Sequence, residues 1–368
     1  MGRETTITIT AARVEAYLRA HGHPGARVTA LAPLGGDTAS GLKGYGYGRP
    51  LRVGFTTPDG VTHDRVLRTM SPDPFAHDRR ADRADALLLA YDTFNQIPRH
   101  IHALDVGAFT RDGALVSIAE GEVFLLTDYV EGALYADDLH ALQGRPDAAP
   151  RDLDRACALA RYLAALHQEP RPPGAWTRCL RDTIGSGEGI FGLCDSYPDD
   201  HPIATRARLL AIEERAVEWR WRLRGRTHRA RRTHGDFHPF NILFRAGDDF
   251  SVLDCSRGAA GEPADDLAAL TINYLFFALR ATGRFDGALR QVWNAFWQAW
   301  LEASDGTEAF EVIAPFYAWR GLVVASPVWY PSVPDAIRDR LLRFVERLLV
   351  GARFDPFAVD ELLADGIA

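Results

Sequence analysis

The sequence predicts an α+β fold, with a small β-rich region at its N-terminal end and a larger, mostly helical region after it. Strand signals occur early, at residues 28–34 and 62–69. After Asp254, apolar residues recur at helical spacing in four segments, residues 264–280, 285–304, 308–324 and 336–349. At 368 residues, the chain is long enough for one large or two medium domains with an ample core.

The composition and charge argue against several classes of protein. A net charge of −7 argues against general nucleic-acid binding, although it is compatible with a cationic substrate. No segment approaches the ~18 apolar residues that a membrane span requires, and residues 1–6 lack the apolar core of a signal peptide. The four cysteines show no close-paired spacing, which fits a reducing cytoplasm with no zinc site and no disulfide framework. We therefore expect a cytoplasmic protein without a nucleic-acid or membrane partner; the oligomeric state stays open.

A helix at residues 8–22 is the first predicted element, because Val14 and Leu18 share one of its faces. The strand at residues 28–34 leads into a glycine- and serine-rich turn. Exposed backbone amides in such a turn can hold phosphate oxygens, although most turns of this kind merely join two strands. The tyrosine- and glycine-rich residues 43–51 are interpreted as a lengthened second strand or a flap.

The remaining elements before the central motif alternate between strands and helices. The strand at residues 62–69 is followed by a helix at residues 78–95. Residues 114–118 and 122–129 are predicted to pair as a hairpin, and a helix with a strong apolar stripe follows at residues 152–168. Next come an irregular, partly acidic segment and an arginine-rich helix, at residues 169–202 and 204–232.

The central motif places three oxygen-bearing side chains near one another. Asp236 and Asn241 lie five residues apart, in a loop that a proline keeps from becoming a helix. Residues 241–245 and 250–254 read as two short strands joined by a tight turn. Because a hairpin brings its two ends together, Asn241 and Asp254 are expected side by side, with Asp236 entering from the loop.

This constellation predicts magnesium-assisted phosphoryl transfer. Magnesium prefers oxygen donors and binds one or two carboxylates together with the phosphates of a nucleotide. Asn241 and Asp254 would hold the metal ion, and Asp236 would orient and deprotonate the attacking hydroxyl group. The alternative is a surface loop with an ordinary Asn/Asp turn, which does not account for the position of Asp254 at the end of the hairpin.

The same residues resemble a known family. His-Gly-Asp-Phe-His-Pro-Phe-Asn-Ile-Leu-Phe, at residues 234–244, resembles the catalytic loop of the aminoglycoside phosphotransferase and choline-kinase-like family. Leu-Asp-Cys-Ser-Arg-Gly at residues 253–258 is similar to the family's metal-binding aspartate segment, and residues 263–268 are similar to the helix start that follows it. Weaker similarity covers most of the chain.

The resemblance implies a bilobal, protein-kinase-like fold. It implies a nucleotide-binding N-lobe of β-sheet with a helix at residues 1–130, and a C-lobe at residues 131–368 with the catalytic loop and the acceptor site. The implied reaction moves the γ-phosphate of ATP, or of GTP as an open alternative, to a hydroxyl of a small molecule. The acceptor would be aminoglycoside-like, an amino alcohol or another metabolite, and Mg²⁺ would be the cofactor.

The resemblance also implies the residues that bind the nucleotide. The family has a lysine on the third strand, and the matching position here is Arg68. A glutamate of the next helix usually pairs with it; Asp82 is the candidate here, although its carboxylate could equally be a solvated helix charge. Further contacts are expected at the glycine-rich turn and at the hinge between the lobes, from Gly36, Ser40, Asp128 and Tyr129.

Four more residues are expected to support the site. His234 is expected to hold the catalytic loop through a hydrogen bond, and Asp266 matches a family aspartate that buttresses this loop. His238 follows Asp236 by two positions and would either hydrogen-bond the transferred phosphate or pack in the loop. Arg257 would either contact phosphate or tie the loop down.

Two other functions stay open from the sequence. Arg68 and Asp82 depart from the family's lysine and glutamate, which would also suit a nucleotide-binding pseudokinase or regulator. A kinase with a protein acceptor is a variant of the main hypothesis, and an open acceptor cleft would favour it over an enclosed acidic or aromatic pocket.

Overall fold

The computed structural model describes residues 8–34, 50–73, 75–255, 257–304, 306–351 and 353–364. The chain divides into two compact units, Met1–Thr127 and Asp128–Ala368. The described residues confirm the predicted α+β class, with a small unit that contains most of the strands and a larger, mostly helical one. The turn with Gly36 and Ser40 and most of the tyrosine-rich stretch lie outside the described residues.

The first unit contains an antiparallel sheet with the order β1-β2-β3. Helix α1 (Ala11–Ala20) precedes β1 (Arg27–Pro33), β2 (Leu51–Thr56) and β3 (Thr62–Leu67), and α2 (Arg80–Phe94) follows them. One face of α1 and the middle of β2 contribute most of a small apolar core, which consists of Val14, Leu18, Ala26, Val53 and Phe55.

The second hairpin of this unit differs from the prediction. Strand β5 (Leu115–Ser117) pairs with β4 (Gly107–Phe109), whereas residues 122–129 have no regular secondary structure. The turn between the paired strands contains Asp-Gly, and Gly113 has a φ of 86°, which glycine adopts readily. Gly107 permits the close approach of the strands, because a Cβ atom there would lie 2.3 Å from a carbonyl oxygen of β5. These local features explain why β5 pairs with the preceding strand, β4, and not with residues 122–129.

The second unit combines many helices with one small sheet. The sheet has the antiparallel order β6-β7-β8, formed by β6 (Ala133–Leu134), β7 (Ile242–Phe244) and β8 (Phe250–Val252). The helices are α3 (Tyr135–Leu142), α4 (Pro150–Leu166), α5 (Pro173–Gly185), α6 (Ile190–Asp195), α7 (Arg206–Leu223), α8 (Pro263–Thr282), α9 (Gly287–Ala303), α10 (Ala309–Val312), α11 (Ala314–Ala325), α12 (Asp335–Val350) and α13 (Val359–Leu363).

Helix α8 lies at the centre of this unit. Every residue from Pro263 to Leu279 is buried, which is expected of a helix that is apolar on nearly all sides. The helix packs against α9 and α11, and it ends at Gly283, which adopts a φ of 73°. The first turn of α8 carries two buried aspartates, Asp265 and Asp266, and these define the position of the candidate site.

Two helix predictions in this unit were wrong. Residues 169–202 were expected to be irregular, but they contain α5 and α6. Helix α5 begins with Pro-Gly, which the first turn of a helix tolerates, and it buries an apolar stripe that includes Trp176 and Leu180. The single helix predicted at residues 308–324 is divided at Ile313 into α10 and α11, because Pro315 cannot continue the hydrogen-bond ladder from α10.

No helix in the described part of the chain combines the length and the apolar character that crossing a membrane demands.

Candidate active site

The hairpin of β7 and β8 brings Asn241 close to Asp254 in space. The backbone oxygen of Asn241 accepts a hydrogen bond of 2.8 Å from the amide of Leu253, directly before Asp254. Asn241 ends a short 3₁₀ turn, Pro239–Asn241, and the ring of His238 caps this turn by accepting from the amide of Phe240. Asp254 adopts a φ of 53°, a left-handed conformation in which aspartate is among the enriched residues. The turn and the hairpin thus bring the backbone of Asn241 close to that of Asp254.

Asp236 is held on both of its carboxylate oxygens. Its Oδ1 accepts a hydrogen bond of 2.6 Å from Nη1 of Arg320. Its Oδ2 lies 3.4 Å from Nε2 of His238 and 3.5 Å from Nδ2 of Asn241, which also donates to the backbone oxygen of Asp236. Burial alone would raise the pKa of Asp236, but the hydrogen bond from His238 and the charge of Arg320 outweigh it and hold this pKa below its ordinary value. The carboxylate is therefore ionised at neutral pH.

Asp266 fixes the loop that carries Asp236. This side chain is fully buried, and its two oxygens accept hydrogen bonds of 2.8 Å from the amides of His234 and Gly235. One oxygen also lies 3.0 Å from Nε2 of His167. His234 accepts a hydrogen bond of 3.3 Å from the amide of Asp236 through Nδ1. Asp266 and His234 thus constrain the backbone up to Asp236, and His167 holds the carboxylate of Asp266.

Arg320 is the member of the site that the sequence did not reveal. It comes from α11, is 7% exposed, and donates to the backbone oxygen of Gly235 and to Oδ1 of Asp265 as well as to Asp236. Its guanidinium carbon lies 3.9 Å from the ring centroid of Trp319. The available signal was a single arginine within the apolar run Phe-Tyr-Ala-Trp-Arg-Gly-Leu, because a charged residue is almost never buried without a partner.

Arg257 lies near the same cluster. Its guanidinium carbon is 4.2 Å from the ring of Trp319, and its Nη2 is 3.4 Å from a carboxylate oxygen of Glu188. Burial, followed by the neighbouring charge of Arg320, lowers the pKa of Arg257. The indole of Trp319 donates to the backbone oxygen of Glu188 over 2.6 Å. The predicted acidic segment therefore reaches this cluster through Glu188.

Four of the residues predicted to bind the nucleotide lie within the described part of the chain, namely Arg68, Asp82, Asp128 and Tyr129. Arg68 is exposed directly after β3, and the carboxylate of Asp82 accepts a hydrogen bond from the amide of Arg79 at the start of α2. Within the described residues these two side chains form no ion pair with each other. Asp128 and Tyr129 are exposed and lie outside regular secondary structure. Their roles in nucleotide binding stay predictions, as do those of Gly36 and Ser40 outside the described residues.

The donors at the end of the hairpin fit a magnesium ion. Because Nδ2 of Asn241 points to two oxygens of Asp236, the amide oxygen Oδ1 is left as the acceptor of this side chain. Together with the exposed carboxylate of Asp254, it forms a pair of oxygen donors of the kind that magnesium prefers. The described part of the chain contains no cluster of three His, Cys, Asp or Glu side chains suited to a metal ion.

A pH-dependent contribution to stability is expected from Asp265. Burial raises the pKa of its carboxyl to about 6, although the charge of Arg320 acts against this rise. Because this value lies above the ~3.9 of an unfolded aspartate, the native state binds more protons between the two values, and stability falls as pH rises through this window. Measured by urea unfolding from pH 4 to 7, the stability of the wild type relative to Asp265→Asn should decrease with rising pH. A difference that does not change with pH would contradict this expectation.

The comparison with protein families identifies the class of this enzyme. The model of the phosphotransferase enzyme family, APH, matches residues 11–305, which is well over half of the chain. The protein is therefore a phosphotransferase. It belongs to the phosphotransferase enzyme family that the catalytic-loop motif resembles.

Comparison with solved structures gives several matches of low similarity. A macrolide 2'-phosphotransferase type I is 18% identical, with 95% of this chain and 100% of that chain covered and a TM-score of 0.33. A glucosamine kinase is 16% identical, with 97% and 98% covered and a TM-score of 0.37. Choline kinase LicA from Streptococcus pneumoniae is 12% identical, with 92% and 97% covered and a TM-score of 0.35. Scores of this size identify neither the substrate nor the mechanism. No curated protein matches the sequence significantly.

Proposed function

We propose that this protein is an ATP- and magnesium-dependent phosphotransferase that moves the γ-phosphate to a hydroxyl group of a small molecule. Membership of the family supports the class of reaction. The observation that carries the proposal is the carboxylate of Asp236, which is held in a constrained loop by Arg320 and Asn241, with the backbone of Asn241 bonded to the residue before Asp254.

Asp236 is assigned to the acceptor hydroxyl. Its carboxylate would accept a hydrogen bond from this hydroxyl, align the oxygen with the γ-phosphorus and take the proton as transfer proceeds. Phosphoryl transfer through a loose transition state requires position and charge more than a strong base. The low pKa of Asp236 is therefore compatible with this role.

Asn241 and Asp254 are assigned to the metal ion that accompanies ATP, or GTP as the alternative. When bound, this ion supplies positive charge that stabilises the transferring phosphate. The amide of Asn241 also bonds to Asp236, so this metal donor and the hydroxyl-orienting carboxylate belong to one hydrogen-bonded unit. Their spacing is thus coupled through a single side chain.

A second candidate function is nucleotide binding without transfer, as in a pseudokinase. The observation that favours it is that Arg68 and Asp82 stand where the family has a lysine and a glutamate. Arginine and lysine differ in geometry, so these residues would hold the nucleotide phosphates differently.

The decisive experiment is ADP release from Mg-ATP over a panel of aminoglycosides, amino alcohols, sugars and a generic protein substrate. We expect an acceptor-dependent signal from a small molecule, lost in Asp236→Asn and retained in Asp249→Asn. Asp249 is a matched control, because it is an exposed aspartate in the turn of the same hairpin and pairs with Arg245, four residues away. No turnover with any acceptor, together with tight nucleotide binding, would favour the second function.

A further inference from the structure

Arg320 lies outside residues 11–305, the segment that the family model matches, and yet it contacts the central carboxylate of the site. We propose that Arg320 is a positioning residue that orients the Asp236 carboxylate so that Oδ2 receives the acceptor hydroxyl. This inference rests on the proposed function. It assigns a role to a residue of α11 and a distinct role to each oxygen of Asp236.

The hydrogen bonds of Arg320 engage both the side chain and the backbone of the catalytic loop. Nη1 donates to Oδ1 of Asp236 over 2.6 Å, and Nη2 donates to the backbone oxygen of Gly235 over 2.9 Å. One planar guanidinium group therefore fixes the carboxylate relative to the peptide group before it. Rotation of the Asp236 side chain would break the first bond while the second still held the loop in place.

Arg320 is itself held rigidly. Asp265 accepts hydrogen bonds of 2.8 and 3.2 Å from Nη2 and Nε, and the ring of Trp319 covers the guanidinium at 3.9 Å. The side chain is 8% exposed, so little water competes for these contacts. A purely structural arginine would be satisfied by Asp265 and the backbone of Gly235. The additional bond to Asp236 is the contact that a positioning role requires.

The two carboxylate oxygens thus differ in their surroundings. Oδ1 accepts the short bond from Arg320, whereas the contacts of Oδ2 among the described residues are longer, 3.4 Å to His238 and 3.5 Å to Asn241. In the transfer step, the acceptor oxygen bonds to the γ-phosphorus and the bond between this phosphorus and the β–γ bridging oxygen breaks, which releases ADP. The hydroxyl proton moves to Oδ2 of Asp236.

The test compares Arg320→Met, Arg320→Lys and the double variant Arg320→Met/Asp265→Asn with the wild type and with Asp265→Asn alone. The double variant removes the buried carboxylate that Arg320→Met would leave unpaired, so that the fold is retained. We expect kcat to fall about 10²-fold, since a displacement of about 1 Å in a reacting group has this effect. KM for ATP should change little, because Arg320 is not assigned to the nucleotide.

Arg208→Met is the matched control. Arg208 is also a largely buried arginine that pairs with two carboxylates, Asp339 and Glu346, but it connects α7 to α12 and has no contact with Asp236. Its kcat and its KM for ATP should equal those of the wild type. If both methionine variants fail to fold, Arg320→Lys decides by the same readouts, since lysine keeps the charge and loses the two-pronged geometry.

A second readout does not depend on the acceptor. Crystal structures of Asp265→Asn and of the double variant would show whether the Asp236 carboxylate keeps its orientation when Arg320 is absent. A rotated carboxylate in the double variant would support the proposal even if no acceptor were turned over, a result that would count against the proposed function alone. An unchanged orientation, or an unchanged kcat in an active enzyme, would overturn it.

Discussion

Replacement of Asp236 by asparagine is expected to lower kcat by about 10²–10⁴-fold, the range associated with loss of a general base. Asparagine keeps the shape of the side chain, and its amide oxygen can still accept from Arg320, but it cannot take the hydroxyl proton. KM for ATP should stay close to the wild-type value, because Asp236 is not assigned to the nucleotide. Steady-state kinetics with the best acceptor of the panel would measure both constants.

The fold of this variant should be retained. Arg320 keeps its bonds to Asp265 and to the backbone oxygen of Gly235, so no buried charge is left without a partner. Circular dichroism and urea unfolding of Asp236→Asn, compared with Asp249→Asn, would separate loss of chemistry from loss of structure. Turnover of a folded Asp236→Asn enzyme at the wild-type rate would refute the assignment of this residue.

Replacement of Asp266 by alanine is expected to cause the largest loss of stability among the site residues. The variant leaves the buried amides of His234 and Gly235 without their acceptor, which costs about 1–3 kcal/mol for each amide. The ring of His167 loses its partner as well. The free energy of unfolding should therefore fall by several kcal/mol in urea titrations followed by fluorescence.

Asp335 provides the matched control for this substitution. It also lies in the first turn of a helix, α12, but its side chain is 60% exposed and its ion-pair contact with Arg338 is distant, at 3.9 Å. Asp335→Ala should change the free energy of unfolding by no more than about 0.5 kcal/mol. Equal effects of the two substitutions would show that Asp266 does not hold the catalytic loop.

The sequence correctly predicted those features that depend on interactions between residues close together in the chain. The hairpin that joins Asn241 to Asp254 is an example, because turn residues and alternating strands determine it within a short segment. The helical spacing after Asp254 likewise identified the long helices α8, α9 and α12. The roles of Asp236, Asn241 and Asp254 in catalysis stay predictions that the variants above would test.

Predictions were wrong where a strand had two possible partners or where a helix begins with residues that are uncommon in helices. An Asp-Gly turn gave β5 a different partner from the one expected in residues 122–129. Helix α5 begins with a proline and a glycine, which argued against a helix, and its apolar stripe is recognised only once its buried face is known. The strand partner and the buried face both depend on which surfaces meet in the folded protein.

The sequence by itself determined the α+β class, the catalytic-loop motif and the membership of a phosphotransferase family, because these depend on residues close together in the chain. Only the tertiary structure brought Arg320 to Asp236, across a separation of 84 residues. The helix α11 that carries this arginine packs on α8, and desolvation within that packing makes a charged partner obligatory. The spacing of residues along the chain therefore does not predict this contact.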